Sequence, residues 1–138
     1  MTFYTASTEA EVKRPFIEAG IKAGFPSPAD DFSELSIDLN TALLKNPSST
    51  FFSRVSGDSM QDIGISDGDL LVIDKSLEVI NGKIAVCYID GEFTLKRIKL
   101  EKNYCWLEPA NDNYSPIKVT EENEFIVWGI VTFVIKAF

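Results

Sequence analysis

Between residues 51 and 135 the chain repeats one pattern: a short apolar or alternating run, then a turn dipeptide rich in Gly, Asp and Asn. The runs fall at residues 51–55, 69–73, 83–89, 92–100, 104–107 and 125–135, and Gly57-Asp58, Asp67-Gly68, Asn81-Gly82, Asp90-Gly91 and Pro109-Ala110-Asn111 punctuate them. Short apolar or alternating runs bounded by such turn residues read as strands. So even a spacing suits a strongly curved, mainly β fold, not an alternation of strands and crossover helices. With 138 residues the chain has room for one domain of ordinary size with a real core.

The first 50 residues read differently. A candidate helix covers residues 9–23, and a second short one covers 38–45. For the second, Asp38 is suited to the N-cap, Leu39, Ala42 and Leu43 share a face, and Asn46-Pro47 ends it. Between them "AGFPSPADD" carries Pro26 and Pro28, which remove backbone donors and favour an extended path. The reading divides the chain into an arm at 1–23, a linker with a short helix at 24–50 and a β-rich domain at 51–138.

One hairpin can be read residue by residue. In "YIDGEF" the Asp90-Gly91 pair favours a two-residue type I′ loop, which pairs Ile89 with Glu92, Cys87 with Thr94 and Ala85 with Lys96. Alternation then puts Thr94, Lys96, Ile98 and Leu100 on one face, and Arg97 and Lys99 on the other. Lys96 is therefore a lysine on an apolar face, opposite a small alanine. Two readings of it stand at this point. Its stem can be buried with the charge kept in water. Alternatively, burial lowers its pKa, and the neutral amine then serves as a base.

A base matters because of Ser59 in "VSGDSMQDIGISDGDLLVID". Either Ser59 completes a turn after Gly57-Asp58, bonding to nearby backbone, or it is a nucleophile. The chain contains no histidine, which removes Ser-His-Asp and Cys-His catalysis and imidazole-based zinc sites. If Ser59 reacts, Lys96 is the best candidate to take its proton. Ser115-Pro-Ile-Lys118 also has the S-x-x-K spacing, but Pro116 spoils the helix that would align the two side chains. The sequon Asn113-Tyr-Ser115 reads as chance, because no secretion signal accompanies it.

Composition narrows the partners. A net charge of −8 argues against binding the DNA backbone, which needs clustered cations. No apolar run is long enough to span a bilayer, and Cys87 and Cys105 are too few for a disulfide framework and lack metal-ligand spacing. A cytoplasmic protein without cofactor or metal is the expectation.

The strings "SGDSM", "GISDGDLLVID", "DGEFTLKRIKL" and "NYSPI" together resemble the LexA/UmuD family of self-cleaving Ser-Lys proteins, on its UmuD branch. The likeness extends from "AGFPSPADDF" and "IDLN" to the C-terminal "WGIVTFVIKAF". It implies the family's compact curved C-terminal β-fold with a flexible N-terminal arm. It carries the nucleophile onto Ser59, the general base onto Lys96 and the scissile bond onto Ala23-Gly24. LexA repressors carry a helix-turn-helix domain before that bond, and 23 residues are too few for one, so a repressor is not expected. The resemblance implies instead an SOS-response protein that cleaves itself when stimulated by a RecA filament on single-stranded DNA. The 24–138 form is then expected as a homodimer beside a UmuC-type Y-family translesion polymerase. A non-cleaving β-rich interaction module and a small regulator of a host SOS factor are the competing readings. The apolar run at 125–135 is expected in the core, with part of it at the dimer contact.

Overall fold

The computed structural model describes residues 2–8, 10–17, 23–24 and 34–138. They fall into two units, residues 1–6 with 48–138, and residues 7–47.

The larger unit is one antiparallel sheet of eight strands. Its members are β1 (Tyr4–Thr5), β4 (Thr50–Arg54), β5 (Leu70–Asp74), β6 (Ile84–Ile89), β7 (Glu92–Leu100), β8 (Cys105–Glu108), β9 (Ile117–Val119) and β10 (Phe125–Ile135). Their order across the sheet is β1-β4-β5-β10-β6-β7-β8-β9. The six runs read from the sequence all form strands, within a residue or two of their expected limits. The mainly β expectation holds.

The β6–β7 hairpin has the expected register, with Ile89 opposite Glu92, Cys87 opposite Thr94 and Ala85 opposite Lys96. Asp90 and Gly91 have φ of 47° and 90°, the left-handed pair that a type I′ loop requires. Asp90 also anchors the next turn, accepting from the Glu124 backbone N–H at 3.0 Å and from Asn123 Nδ2 at 2.7 Å.

The apolar run at 125–135 forms the strand that joins the two halves of the sheet. Its first part pairs with β6 and its second with β5, with register shifts on each side. Gly129 stands at the change of partner, where a Cβ would lie 2.5 Å from Ile73 Cγ2. Only the middle of β10 is core. Gly129 and Ile130 are buried, while Ile126, Phe133 and Ile135 are exposed. An unbroken apolar sequence thus does not mean unbroken burial, since alternate residues of a strand face opposite ways.

Both faces of the sheet's centre are covered. One cluster gathers Val55, Met60, Ile65, Leu71, Ile73, Val86 and Leu95, and the other Ala85, Cys87, Ile98, Cys105, Leu107, Val119 and Ile130. At about 1.5–3 kcal/mol for each fully buried large aliphatic side chain, these clusters supply the main drive to fold.

The smaller unit pairs β2 (Lys13–Ile17) with β3 (Glu34–Asp38), which leads into α1 (Leu39–Leu43). The helix expected at residues 9–23 is therefore corrected: residues 13–17 are a strand. Pro15 sits at its centre, where a helix would lose a bond and suffer a ring clash, whereas a strand pair tolerates it at an edge. Asp38 is the N-cap of α1, accepting from Asn40 N at 3.2 Å, as its sequence position suggested. The two prolines at 26 and 28 lie outside the described residues.

Candidate functional site

Ser59 follows a turn that the sequence builds tightly. Gly57 takes a φ of 94°, and its N–H donates to Asp67 Oδ1 at 2.8 Å. Met60, only 2% exposed, anchors the next position in the core. The far side is held by the loop after β8. Ala110 N–H donates to the Ser59 carbonyl at 2.7 Å, and Asn111 Nδ2 to the Asp58 carbonyl at 3.0 Å. Tyr114 donates its hydroxyl proton to Asp58 Oδ1, and this bond is what chiefly pushes the Tyr114 hydroxyl above its ordinary pKa. The turn that carries Ser59 is thereby fixed from both sides.

Lys96 reaches the same place from the middle of β7. Its residue is 7% exposed, and Nζ lies 3.1 Å from Ser59 Oγ, 2.8 Å from Thr94 Oγ1 and 3.0 Å from the Leu95 carbonyl oxygen. Among the described residues no carboxylate pairs with it. Burial lowers its pKa, and only the neighbouring Cys87 works weakly in the other direction. The Lys96 amine is turned inward onto Ser59 and does not run out to the surface. Lys99, on the opposite face, does keep its amine at the surface.

The pair opens onto a cleft of about 340 Å³, walled by Arg54, Asp58, Phe93, Thr94 and Tyr114 among others. Sequence reasoning put Thr94 on the face of Lys96 without assigning it a part, although that shared face was the signal. Asn111 and Tyr114 had no such signal, since their partners are more than 50 positions away.

The rejected Ser115 and Lys118 do not meet. Lys118 Nζ sits 4.6 Å from the centre of the Tyr104 ring, and Ser115 is exposed. Cys87 and Cys105 are free and buried. Burial pushes the Cys87 thiol up to about 12, with Cys105 adding and Lys96 opposing, and burial raises Cys105 as well. Both stay protonated and unreactive at neutral pH. Among the described residues no group of three or more His, Cys, Asp or Glu could hold a metal, and no helix is long and apolar enough to cross a membrane. Ala23 and Gly24 form an exposed bend in the smaller unit, and a Cβ on Gly24 would meet nothing within 4 Å.

Comparison with known proteins agrees with the resemblance read from the sequence. The pattern of the Peptidase S24-like family matches residues 15–132. Protein MucA of Salmonella typhimurium is 43% identical over 119 residues, covering 86% of this chain and 81% of the relative. Protein ImpA of Shigella flexneri is 43% identical over 122 residues, covering 88% and 83%. Protein SamA of Salmonella typhimurium is 42% identical over 118 residues, covering 86% and 81%.

Proposed function

The chain belongs to the Peptidase S24-like family, and from that premise we propose that it is a serine endopeptidase that cuts its own Ala23-Gly24 bond. Ser59 is the nucleophile and Lys96 the general base. The observation that carries this reading is the buried Lys96 amine, 3.1 Å from Ser59 Oγ with no carboxylate among the described residues to hold its charge.

The chemistry follows from counting protons on Nζ. A neutral amine has two hydrogens and one lone pair. Thr94 Oγ1 and the Leu95 carbonyl can accept the two hydrogens, which leaves the lone pair for the Ser59 hydroxyl. As Oγ forms its bond to the Ala23 carbonyl carbon, the serine proton passes to Nζ. The backbone N–H groups of Ser59 and Met60, which donate to no acceptor among the described residues, are available to the oxyanion. Collapse breaks the bond to Gly24 nitrogen, which leaves with the proton from the Lys96 ammonium. Water, deprotonated by the regenerated amine, then hydrolyses the Ala23 ester. Small residues on both sides of the bond leave its carbonyl accessible.

The family context supports an SOS-mutagenesis role. In this reading a RecA filament on single-stranded DNA stimulates the cut, in the cytoplasm. The 24–138 form then serves, as a homodimer, a UmuC-type Y-family translesion polymerase, without direct sequence-specific DNA binding. The arm at 1–23 is the part removed, residues 24–50 the linker, and residues 51–138 the peptidase-like body.

Purified protein incubated at rising alkaline pH tests the proposal. Two fragments, 1–23 and 24–138, should appear by mass, faster as pH rises, because only neutral Lys96 accepts a proton. Ser59→Ala and Lys96→Ala should each abolish them while the far-ultraviolet spectrum stays native. A chain that stays whole at high pH and with RecA filaments sinks the protease reading and leaves a β-rich interaction module.

A further inference from the structure

The sheet edge at β4 is covered by the chain's own N-terminus. β1 supplies only Tyr4, opposite Phe52, and Thr5, opposite Phe51. So short a strand holds weakly by its hydrogen bonds alone. Phe3 adds the anchor. Its ring stacks on Trp128 with centroids 4.0 Å apart and 21° between planes, and meets Phe93 edge-on at 5.1 Å. Phe51 stands 5.1 Å from Trp128, and Tyr88 backs Phe93 at 5.5 Å. Take away residues 2–6, and β4 offers unpaired backbone beside an aromatic slot. A strand edge for main-chain pairing, next to a pocket for one side chain, is the arrangement by which sheets bind extended peptides.

The geometry points to a peptide-binding site at the β4 edge and the Phe51–Phe93–Trp128 slot, with residues 2–6 as its tethered occupant. The resident segment, Thr-Phe-Tyr-Thr-Ala, defines the partner it fits: extended, uncharged, and bearing an aromatic ring just before the residues that pair. Lys75 Nζ lies 4.5 Å over the Trp128 ring, which disfavours a cationic side chain in the slot. While attached, the occupant holds its site at an effective concentration in the millimolar range, on the order expected for a short tether. A cut at Ala23-Gly24, which rests on the function proposed above, makes that occupant a separate peptide. Mass action then lets a partner's segment replace it. Phe93 also walls the Ser59 and Lys96 cleft, so the slot and the cleft share one ring.

The test uses the full chain carrying Ser59→Ala, which keeps it whole whatever its activity. A fluorescent peptide of residues 2–8 is titrated against this chain and against the same chain with Phe3→Ala. The Phe3→Ala chain should bind at least about tenfold more tightly, because its own segment no longer competes. A peptide with its Phe replaced by Ala should bind that chain at least about tenfold more weakly, having lost its stacking ring. Equal affinity for both chains, or no saturable binding to a folded Phe3→Ala chain at millimolar peptide, overturns the slot. If Phe3→Ala does not fold, Phe3→Leu keeps the apolar volume and must still gain affinity for the peptide. Fragments from the Ser59 chain without any peptide binding would remove the slot and keep the protease. Peptide binding without fragments would do the reverse.

Discussion

Replacing Thr94 by valine should move the pH dependence of the proposed self-cleavage downward. Thr94 Oγ1 accepts from Lys96 Nζ at 2.8 Å. That bond is worth about 1.5–3 kcal/mol to a charged donor but about 0.5–1.5 kcal/mol to a neutral one. Thr94 therefore favours the ammonium over the amine by about 1–1.5 kcal/mol, the difference of those two ranges. At about 1.4 kcal/mol per pH unit, its loss should lower the alkaline midpoint of cleavage by about one unit. Valine keeps the branched shape and strand preference, so the sheet should not suffer. The assay is the first-order rate of fragment formation across a pH series, fitted for a midpoint and a plateau. The plateau should also fall, because the amine loses one of the groups that aim it. An unchanged or raised midpoint refutes the account of how Lys96 is tuned, even if the plateau drops.

The buried amine also makes stability depend on pH. With its folded pKa below the ordinary lysine value, the unfolded chain binds more protons between the two values, so stability rises with pH across that window. The cost is fully present below the folded value and gone above the ordinary lysine pKa of about 10.4. Stability of Lys96→Met relative to the unaltered chain should therefore decline steadily through that window, and urea midpoints that keep a constant difference would refute it. Ser53 is fully buried and its Oγ has no partner among the described residues. Ser53→Ala removes an unsatisfied group that costs about 1–3 kcal/mol, and thermal unfolding should shift upward; a lower midpoint counts against this. Gly129→Ala should destabilise by about 1–3 kcal/mol in denaturant titration, since Ile73 must give way in a packed core, and a neutral result would mean that β10 shifts freely.

Strand identity and the register of one hairpin were legible because both depend on local chemistry. Asp90-Gly91 alone fixed the pairing that sets Lys96 opposite Ala85. The helix expected at residues 9–23 failed although Pro15 is a local signal against it, and the strand that replaces it, β2, exists only through β3, some 20 positions later. β9 was missed for a related reason, being three residues that form a strand only against β8. At the site, parity along β7 located Lys96 and Thr94. The clamp on Ser59 by Ala110, Asn111 and Tyr114 was invisible, because contacts between residues more than 50 positions apart leave no periodic trace.

In the proposed mechanism a lysine stands where histidine is absent, and that has a physical requirement. An imidazole titrates near neutral pH without help, whereas an amine is a base only when its charge is made costly. Desolvation supplies the cost, and the fold must bear it as lost stability below the folded pKa of Lys96. Such a base also has to be aimed, since a long flexible stem spends little time at any one geometry. Thr94 and the Leu95 carbonyl fix the amine, while the loop at 109–114 fixes the turn that presents Ser59. The two halves come from strands and loops that meet only in the folded sheet. The proposed reactivity is thus a property of the assembled body, and local loosening at either side should silence self-cleavage before it unfolds the chain.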